Sequence, residues 1–397
     1  MNLPKDYHGQ TALSRRTGEI YPGSDFLAEM PDQCILHAMK IICASTLLFA
    51  ALARAQVDLL PALPGTNENS GTQIQLAHPD VTTFSVLPSA TDPAIKTFDL
   101  PHWIYVNRKI VVEHKEGLAQ DRHELLLWIT GTGGKGHDAV AFCNLAADLG
   151  YIAVTLMYPD DVPASACAND INPKSFENFR MAIIQGGHAT YQLGKKNIAI
   201  ERPESIENRL VKLLLFLKVQ RSTENWDQFL NGDGTTKWGA IAVAGQSQGG
   251  GHAALIGIKH RVARVMCFGS PKDYSKRLNA PAAFYREQAA TPKSLFFAFN
   301  HRQDPVGCTP QELLKNLKAL GLDAFGPPVD VATQEFPYHH TRILTTSFPA
   351  VIETSEKVTS TGENSEWAKT AHTSVIAGKN ADRWKQVWTY MLTEKTP

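Results

Sequence analysis

The sequence predicts an α/β fold: a mostly parallel central sheet with helices on both faces. Three observations predict it. Short apolar segments of strand length alternate with helix-length segments along most of the chain, the pattern of βα units. Several of those segments, above all Leu125-Leu126-Leu127-Trp128-Ile129, are continuously apolar, which suits strands covered on both faces. The composition, 43% hydrophobic and 20% charged residues, is that of an ordinary globular chain rather than a disordered one.

Taken in order, Trp103 to Val106 and Lys109 to Val112 predict short strands around a turn at Asn107-Arg108. Glu124 to Thr130 is a buried strand, followed by a glycine-rich loop and a helix from about Asp138 to Leu149. Tyr151 to Met157 is the next strand. Residues 158–204 read as a long irregular polar insertion, and Ser205 to Gln220 as a helix. The whole stretch 158–236 is long for a simple crossover, so it is a candidate cap, with Tyr158, Met181, Tyr191 and Trp226 as candidate covers of a site. Surface decoration is the other reading. Trp238 to Ala244 is a further buried strand, joined to a helix by a serine flanked by glycines. Val262 to Phe268, Ser294 to Phe299 and Thr341 to Phe348 are later strands, and Ala381 to Leu392 a last helix.

The 397 residues carry 39 Lys+Arg and 39 Asp+Glu, a formal net charge of 0. That balance argues against a nucleic-acid binder that works by neutralising phosphates, and offers no basic patch for an anionic membrane. None of the six cysteines shows CxxC spacing, so neither a zinc ribbon nor a thioredoxin-like motif is expected, and no metal or cofactor is called for. For Cys143, Cys167, Cys267 and Cys308 two readings stand open: bridges Cys143–Cys167 and Cys267–Cys308, or buried free thiols.

The apolar run Ile41 to Ala53, preceded by Lys40 and followed by Ala53-Arg54-Ala55, has the three parts of a secretory signal peptide. Its 13 residues fall short of the ~20 needed to span a bilayer. The expectation is therefore a leader at 1–38 from an upstream start, translation from Met39, cleavage after Ala55, a secreted chain starting at Gln56, and an extended lead-in over 56–100 before the main domain, 101–397.

The most informative segment is Ala242-Val243-Ala244-Gly245-Gln246-Ser247-Gln248-Gly249-Gly250. A GxSxG sequence at a strand-to-helix junction forces a sharp turn. Small flanking residues let the chain close, and the serine hydroxyl projects at the N-terminus of the helix, where developing negative charge is favoured. With Gly251-His252-Ala253 the segment resembles the α/β-hydrolase superfamily, in its secreted esterase-like branch with a GxSQGGGHA elbow. The resemblance runs from about Ile104 to the C-terminus and implies the α/β-hydrolase fold, with a nucleophile, acid and base in the chain order Ser, Asp or Glu, His.

On that order the acid is Asp304, in the loop ending the strand Phe296–Phe299, with Asp273 in reserve. The base is His372, the last histidine, between the last strand and the last helix and expected in a loop. His339 and His340 precede the last strand and are badly placed. His252 lies on the serine's own helix and is expected to pack against a neighbouring strand, while His301 is a candidate pocket residue. The superfamily also places a backbone N–H from the loop after its third strand beside the N–H following the nucleophile. Here Thr130-Gly131-Thr132-Gly133-Gly134 occupies that place, with Thr130 where many members carry histidine. The resemblance thus implies an oxyanion hole from Thr132 and Gln248, with Gly133 as the competing donor.

The same loop, Gly131-Thr132-Gly133-Gly134-Lys135-Gly136, also fits GxGxxG, and Asp160 and Asp161 end the next strand. An NAD(P)-dependent oxidoreductase is therefore the rival reading. It leaves Ser247, Asp304 and His372 unexplained. The expected activity is that of a secreted, cofactor-free serine hydrolase cleaving carboxylic esters. A lipase, a polyester hydrolase, a peptidase or an acyltransferase on the same fold, and a non-catalytic binding module, are the further alternatives.

Overall fold

The computed structural model describes residues 80–109, 122–192, 194–350 and 365–395. The polar leader, the apolar run and its cleavage site lie outside the described residues, as do residues 110–112 of the second predicted strand.

The described chain folds as strands β1 (Val81–Val86) and, after the short helix α1 (Pro88–Thr91), β2 (His102–Asn107) and β3 (Leu125–Ile129). Then come α2 (Val140–Asp148), β4 (Ile152–Leu156), α3 (Ser175–Gln185), a hairpin of β5 (Gly187–Tyr191) and β6 (Lys196–Ile200), and α4 (Ile206–Gln220). The second half holds β7 (Ile241–Gln246), α5 (Gln248–Lys259), β8 (Arg264–Phe268), the two-residue strands β9 (Tyr274–Ser275) and β10 (Ala280–Pro281), and β11 (Phe296–His301). It closes with α6 (Pro310–Ala319), β12 (Val329–Asp330), β13 (Ile343–Thr346), α7 (Glu366–Thr373) and α8 (Ala381–Thr393).

Nine strands form one sheet in the order β1-β2-β4-β3-β7-β8-β11-β13-β12. Only β2 runs against its neighbours; every other pairing is parallel. The early reversal, the β4-β3 exchange and the parallel run that follows are the strand order of the α/β-hydrolase fold.

The continuous apolar strands are explained by two cores. Leu125, Leu127 and Ile129 point to the face covered by Phe179 and Ile183 of α3, Leu210 and Leu214 of α4, and Ala254 and Ile258 of α5. Leu126 and Trp128 point the other way, onto Phe142 of α2 and Trp384, Trp388 and Met391 of α8. Side chains alternate along a strand, so a strand buried on both faces has no polar positions to spare.

Three regions away from the site differ from the sequence-based reading. Residues 158–204 are not irregular: they contain α3 and the β5–β6 hairpin. In α3 the apolar face Phe176, Phe179, Ile183 recurs at helical spacing, and Gly186 at φ 86° ends the helix. The lead-in expected up to residue 100 includes β1, whose residues pair antiparallel with β2 along its whole length. Helix α6 is an addition: Thr309 and Glu312 form a reciprocal capping box, with Pro310 in the first turn, a sufficient local start signal.

Candidate active site

The elbow is built by close backbone packing. A Cβ at Gly249 would lie 2.0 Å from the Ile129 carbonyl oxygen, and one at Gly131 would lie 3.3 Å from Ser247 Cβ. Helix α5 therefore starts directly against the end of β3, and the glycine loop lies against Ser247. Ser247 carries φ 55° and ψ −115°, a conformation rare for a residue with a side chain. Such strain persists where the surroundings hold it, and clusters at functional sites. Here the Ser247 N–H donates to the Phe268 carbonyl at 2.8 Å, tying the elbow to the end of β8.

The same strand end meets the imidazole. Gly269, at φ 55°, lies so close to His372 that a Cβ there would be 3.1 Å from Cε1 and 3.2 Å from Nδ1. His372 Nδ1 is 2.7 Å from Asp304 Oδ2, so the two residues separated by 68 positions are brought into direct contact. His372 stands in the last turn of α7, not in a loop. Its Nε2 is buried and has no hydrogen-bond partner among the described residues. No hydrogen bond joins it to Ser247. Catalytic hydrogen bonds are often loose without substrate and tighten in the complex.

Asp304 accepts from three sides. Besides His372, its Oδ1 takes the Val306 N–H at 3.0 Å, and Lys272 Nζ stands 2.6 Å from Oδ2. Burial alone would push the Asp304 carboxyl up, but the His372 and Lys272 charges and hydrogen bonds override it and hold the group below the usual carboxylate range.

Asp273, the reserve acid, is placed elsewhere. Its carboxylate meets Arg180 through two hydrogen bonds of 2.6 Å each. Both side chains are buried. Burial opposes the Arg180 charge, but the Asp273 carboxylate outweighs it and keeps the guanidinium protonated. Arg180 Nη1 also donates to the Gln248 carbonyl at 2.8 Å. The arginine thus braces the first turn of α5 from below.

On the opposite flank, the Gly133 N–H donates to the Asp160 carbonyl at 3.1 Å, which removes it as an oxyanion donor. Among the described residues the backbone N–H groups of Thr132 and Gln248 have no partner. The Gln248 side-chain carbonyl holds the two segments together: it accepts from Thr132 Oγ1 at 3.2 Å and from the Ala164 N–H at 2.7 Å. The glycine loop does not open a helix, since α2 begins only at Val140. Three of its glycines, Gly131, Gly134 and Gly136, meet the protein's own atoms: a Cβ at Gly136 would strike the Trp103 ring at 2.5 Å. Asp160 is buried, and burial pushes its carboxyl up to about 6.

The other histidines separate by their surroundings. His301 is buried; Nδ1 accepts from the Gln303 N–H at 3.2 Å and Nε2 meets the Phe348 carbonyl at 3.0 Å, so both nitrogens are engaged in loop structure. His339 and His340 are exposed, beside Gln334 at 3.0 Å and Glu394 at 2.7 Å respectively. His252 is fully buried and packs edge-on to Tyr158 at 5.3 Å. Burial and the Arg180 charge hold it neutral.

Tyr158, Tyr191 and Trp226 are core residues rather than covers, and Met181 packs against the same core. The insertion touches the site through Ala164 and Arg180 instead. Cys143, Cys167, Cys267 and Cys308 are all free and buried. Burial pushes the Cys167, Cys267 and Cys308 thiols each up to about 12. Among the described residues no cluster could hold a metal ion, and no helix is long and apolar enough to cross a membrane.

Sequence reasoning missed Lys272 and Arg180. Arg180 did leave a signal: it sits on the apolar face of α3, next to Phe179, where a buried arginine requires a carboxylate.

No family model and no curated protein matches the chain. Solved structures are similar at a distance. TT1662 from Thermus thermophilus is 13% identical, with 79% of this chain and 99% of that chain covered and a TM-score of 0.34. An S-formylglutathione hydrolase from Agrobacterium tumefaciens is 15% identical, with 60% and 82% covered and a TM-score of 0.32. Likenesses this distant carry nothing about activity; the assignment of the fold rests on the strand order.

Proposed function

We propose that the chain is a serine hydrolase acting on carboxylic esters through Ser247, His372 and Asp304. The observation that carries this reading is the His372–Asp304 hydrogen bond of 2.7 Å, which leaves a buried, unpartnered Nε2 on a ring packed beside the strand end that anchors the strained Ser247. A carboxylate on Nδ1 fixes the tautomer in which Nε2 is free to accept a proton.

In the proposed reaction Ser247 Oγ attacks the acyl carbon while His372 Nε2 takes its proton. Asp304 keeps the ring oriented and stabilises the imidazolium. The carbonyl oxygen, now an oxyanion, is met by the N–H of Thr132 in the glycine loop and that of Gln248 at the start of α5, the kind of fixed donor that stabilises a developing charge. The imidazolium then protonates the leaving alkoxide, giving an acyl-enzyme. Water, activated by the same histidine, releases the acid and regenerates Ser247. No step needs a cofactor. The contacts of the glycine loop with the elbow support its role in the oxyanion hole over a role in nucleotide binding.

We further infer that the chain is exported, with Gln56 as the first residue of the secreted form; the apolar run and its Ala53-Arg54-Ala55 site support this. N-terminal sequencing of secreted material tests it, and a secreted chain that keeps Met1 contradicts it. The activity is tested with p-nitrophenyl esters of increasing chain length alongside amide substrates. Ester turnover lost in Ser247→Ala, together with no thermal stabilisation by NAD or NADP, is the expected result. Nucleotide-dependent stabilisation with full turnover in Ser247→Ala overturns the reading.

A further inference from the structure

Lys272 makes the acid side of this site unusual. It lies in the loop after β8, and its Nζ stands 2.6 Å from Asp304 Oδ2, the same oxygen that His372 Nδ1 meets at 2.7 Å. Nζ also donates to the Asp304 carbonyl at 3.3 Å. The side chain is only 9% exposed. The loop carrying Asp304 wraps the aliphatic stem, with Gly307 placed so that a Cβ would be 3.6 Å from Lys272 Cβ. One carboxylate oxygen therefore serves an ammonium and an imidazole at once.

The other titratable groups around the pair do not supply a competing charge. His301, at the end of β11, is disfavoured as a cation by burial. The Cys308 thiol is pushed up to about 12 by burial and is uncharged at neutral pH. Lys276, just after β9, and Glu312 of α6 pair with each other. Asp330 pairs with Arg302 at 3.2 Å. Among the described residues Lys272 and His372 are the side chains whose nitrogens contact the Asp304 carboxylate.

In an ordinary triad an unshared carboxylate faces the imidazole and favours its protonated form. Here an ammonium already neutralises that carboxylate. We propose that Lys272 is a positioning residue of the Ser247–His372–Asp304 site, which holds the Asp304 carboxylate and weakens its pull on a proton at His372, so that the site stays competent in more acidic solution. The inference rests on the hydrolase reading above. A proton from bulk water would block Nε2, the atom that must take the Ser247 proton. With Lys272 in place, that block sets in at lower pH.

The test is the pH dependence of kcat/KM for p-nitrophenyl acetate from pH 4 to 9, with p-nitrophenol release followed continuously and the uncatalysed rate subtracted at each pH. Wild type is compared with Lys272→Met, with Lys272→Gln, which keeps a donor but no charge, and with Lys272→Arg, which keeps the charge. A contacting charge moves a titration by about 1 unit or more. The acid limb should therefore rise by about 1 pH unit in both neutral variants, making the activity loss about tenfold larger at pH 5 than at pH 8, and Lys272→Arg should restore the wild-type limb. Should either neutral variant fold, by circular dichroism, and show a loss that is uniform across pH, the proposal is overturned and Lys272 is structural only. Should neither fold, wild-type and Lys272→Arg profiles that differ in the position of the acid limb overturn it; coincident profiles support it. Failure of the underlying reading looks different: wild-type Ser247 would then resist a fluorophosphonate at every pH.

Discussion

Lys272 and Asp273 are neighbours in one loop, and each makes a buried ion pair, yet the two pairs do different things. Asp273 gives both carboxylate oxygens to Arg180 at 2.6 Å, and the guanidinium spends a further hydrogen on the Gln248 carbonyl. That pair is closed: planar, bidentate and out of contact with any histidine in the hydrogen-bond network. Lys272 meets Asp304 through one oxygen that is shared with His372. That pair is open, and a third group feels every change in its charge. A closed pair holds the elbow in shape. An open pair acts on the group that moves protons. The same chemistry, carboxylate with cation, serves structure on one flank of Ser247 and, on the proposed reading, tunes the base on the other.

The comparison can be broken first at its centre. His372→Ala should lower kcat/KM for esters by about four orders of magnitude or more, the scale for losing a triad member, while exposed His340→Ala keeps most activity. Steady-state kinetics decide, and a dead His340→Ala beside an active His372→Ala would put the base elsewhere.

The closed pair should fail differently. Arg180→Met leaves the Asp273 carboxylate buried without its partner, which costs about 3–5 kcal/mol in stability. Urea unfolding would show it as a lower midpoint. Asp304→Asn should instead leave the midpoint closer to wild type while losing activity. If the two variants lost stability equally and activity equally, the division between the pairs would not hold.

A smaller loss is expected on the oxyanion flank. Thr132→Pro removes one N–H and should cost about 3 kcal/mol in transition-state stabilisation, read from kcat/KM. Unchanged kinetics in a folded variant would remove Thr132 from the oxyanion hole.

The smallest effect is a pH-dependent one at Asp160. Burial raises its carboxyl in the folded chain to about 6 from an ordinary 3.8. The folded state therefore binds more protons than the unfolded state between those values, so this group's contribution to stability falls as pH rises through that window and stays low above it. Asp160→Asn keeps the backbone carbonyl that receives the Gly133 N–H. Relative to wild type, it should gain melting temperature at pH 8 compared with pH 4. A gain confined to pH 4 would reverse the sign and refute the assignment.

Much of the architecture was legible because it rests on local signals. The two-faced strands showed in the unbroken Leu125–Ile129 run, and the elbow in the glycines around Ser247. Asp304 and His372 were reachable through the order of elements, although the helix around His372 was not expected. What the sequence hid depends on contacts distant along the chain. Arg180 and Asp273 are 93 residues apart, and nothing local says which carboxylate an arginine on a buried helix face will meet. Lys272 reads as an ordinary loop lysine until the fold brings Asp304 to it. Helix α6 is the opposite case: its start is encoded locally, in the capping box of Thr309 and Glu312. Tyr158, Tyr191 and Trp226 do not cover the site because the core takes them: a large aromatic in an insertion suits either role by composition alone.

The central claim is that His372, held by Asp304, activates Ser247. The most direct measurement is the rate and site of labelling by a fluorophosphonate, located by peptide mapping in wild type and in His372→Ala. The account predicts a single adduct on Ser247 in wild type, formed at least about a hundredfold more slowly in His372→Ala. An adduct on a different residue, no adduct at all, or labelling of Ser247 at the wild-type rate in His372→Ala would contradict it.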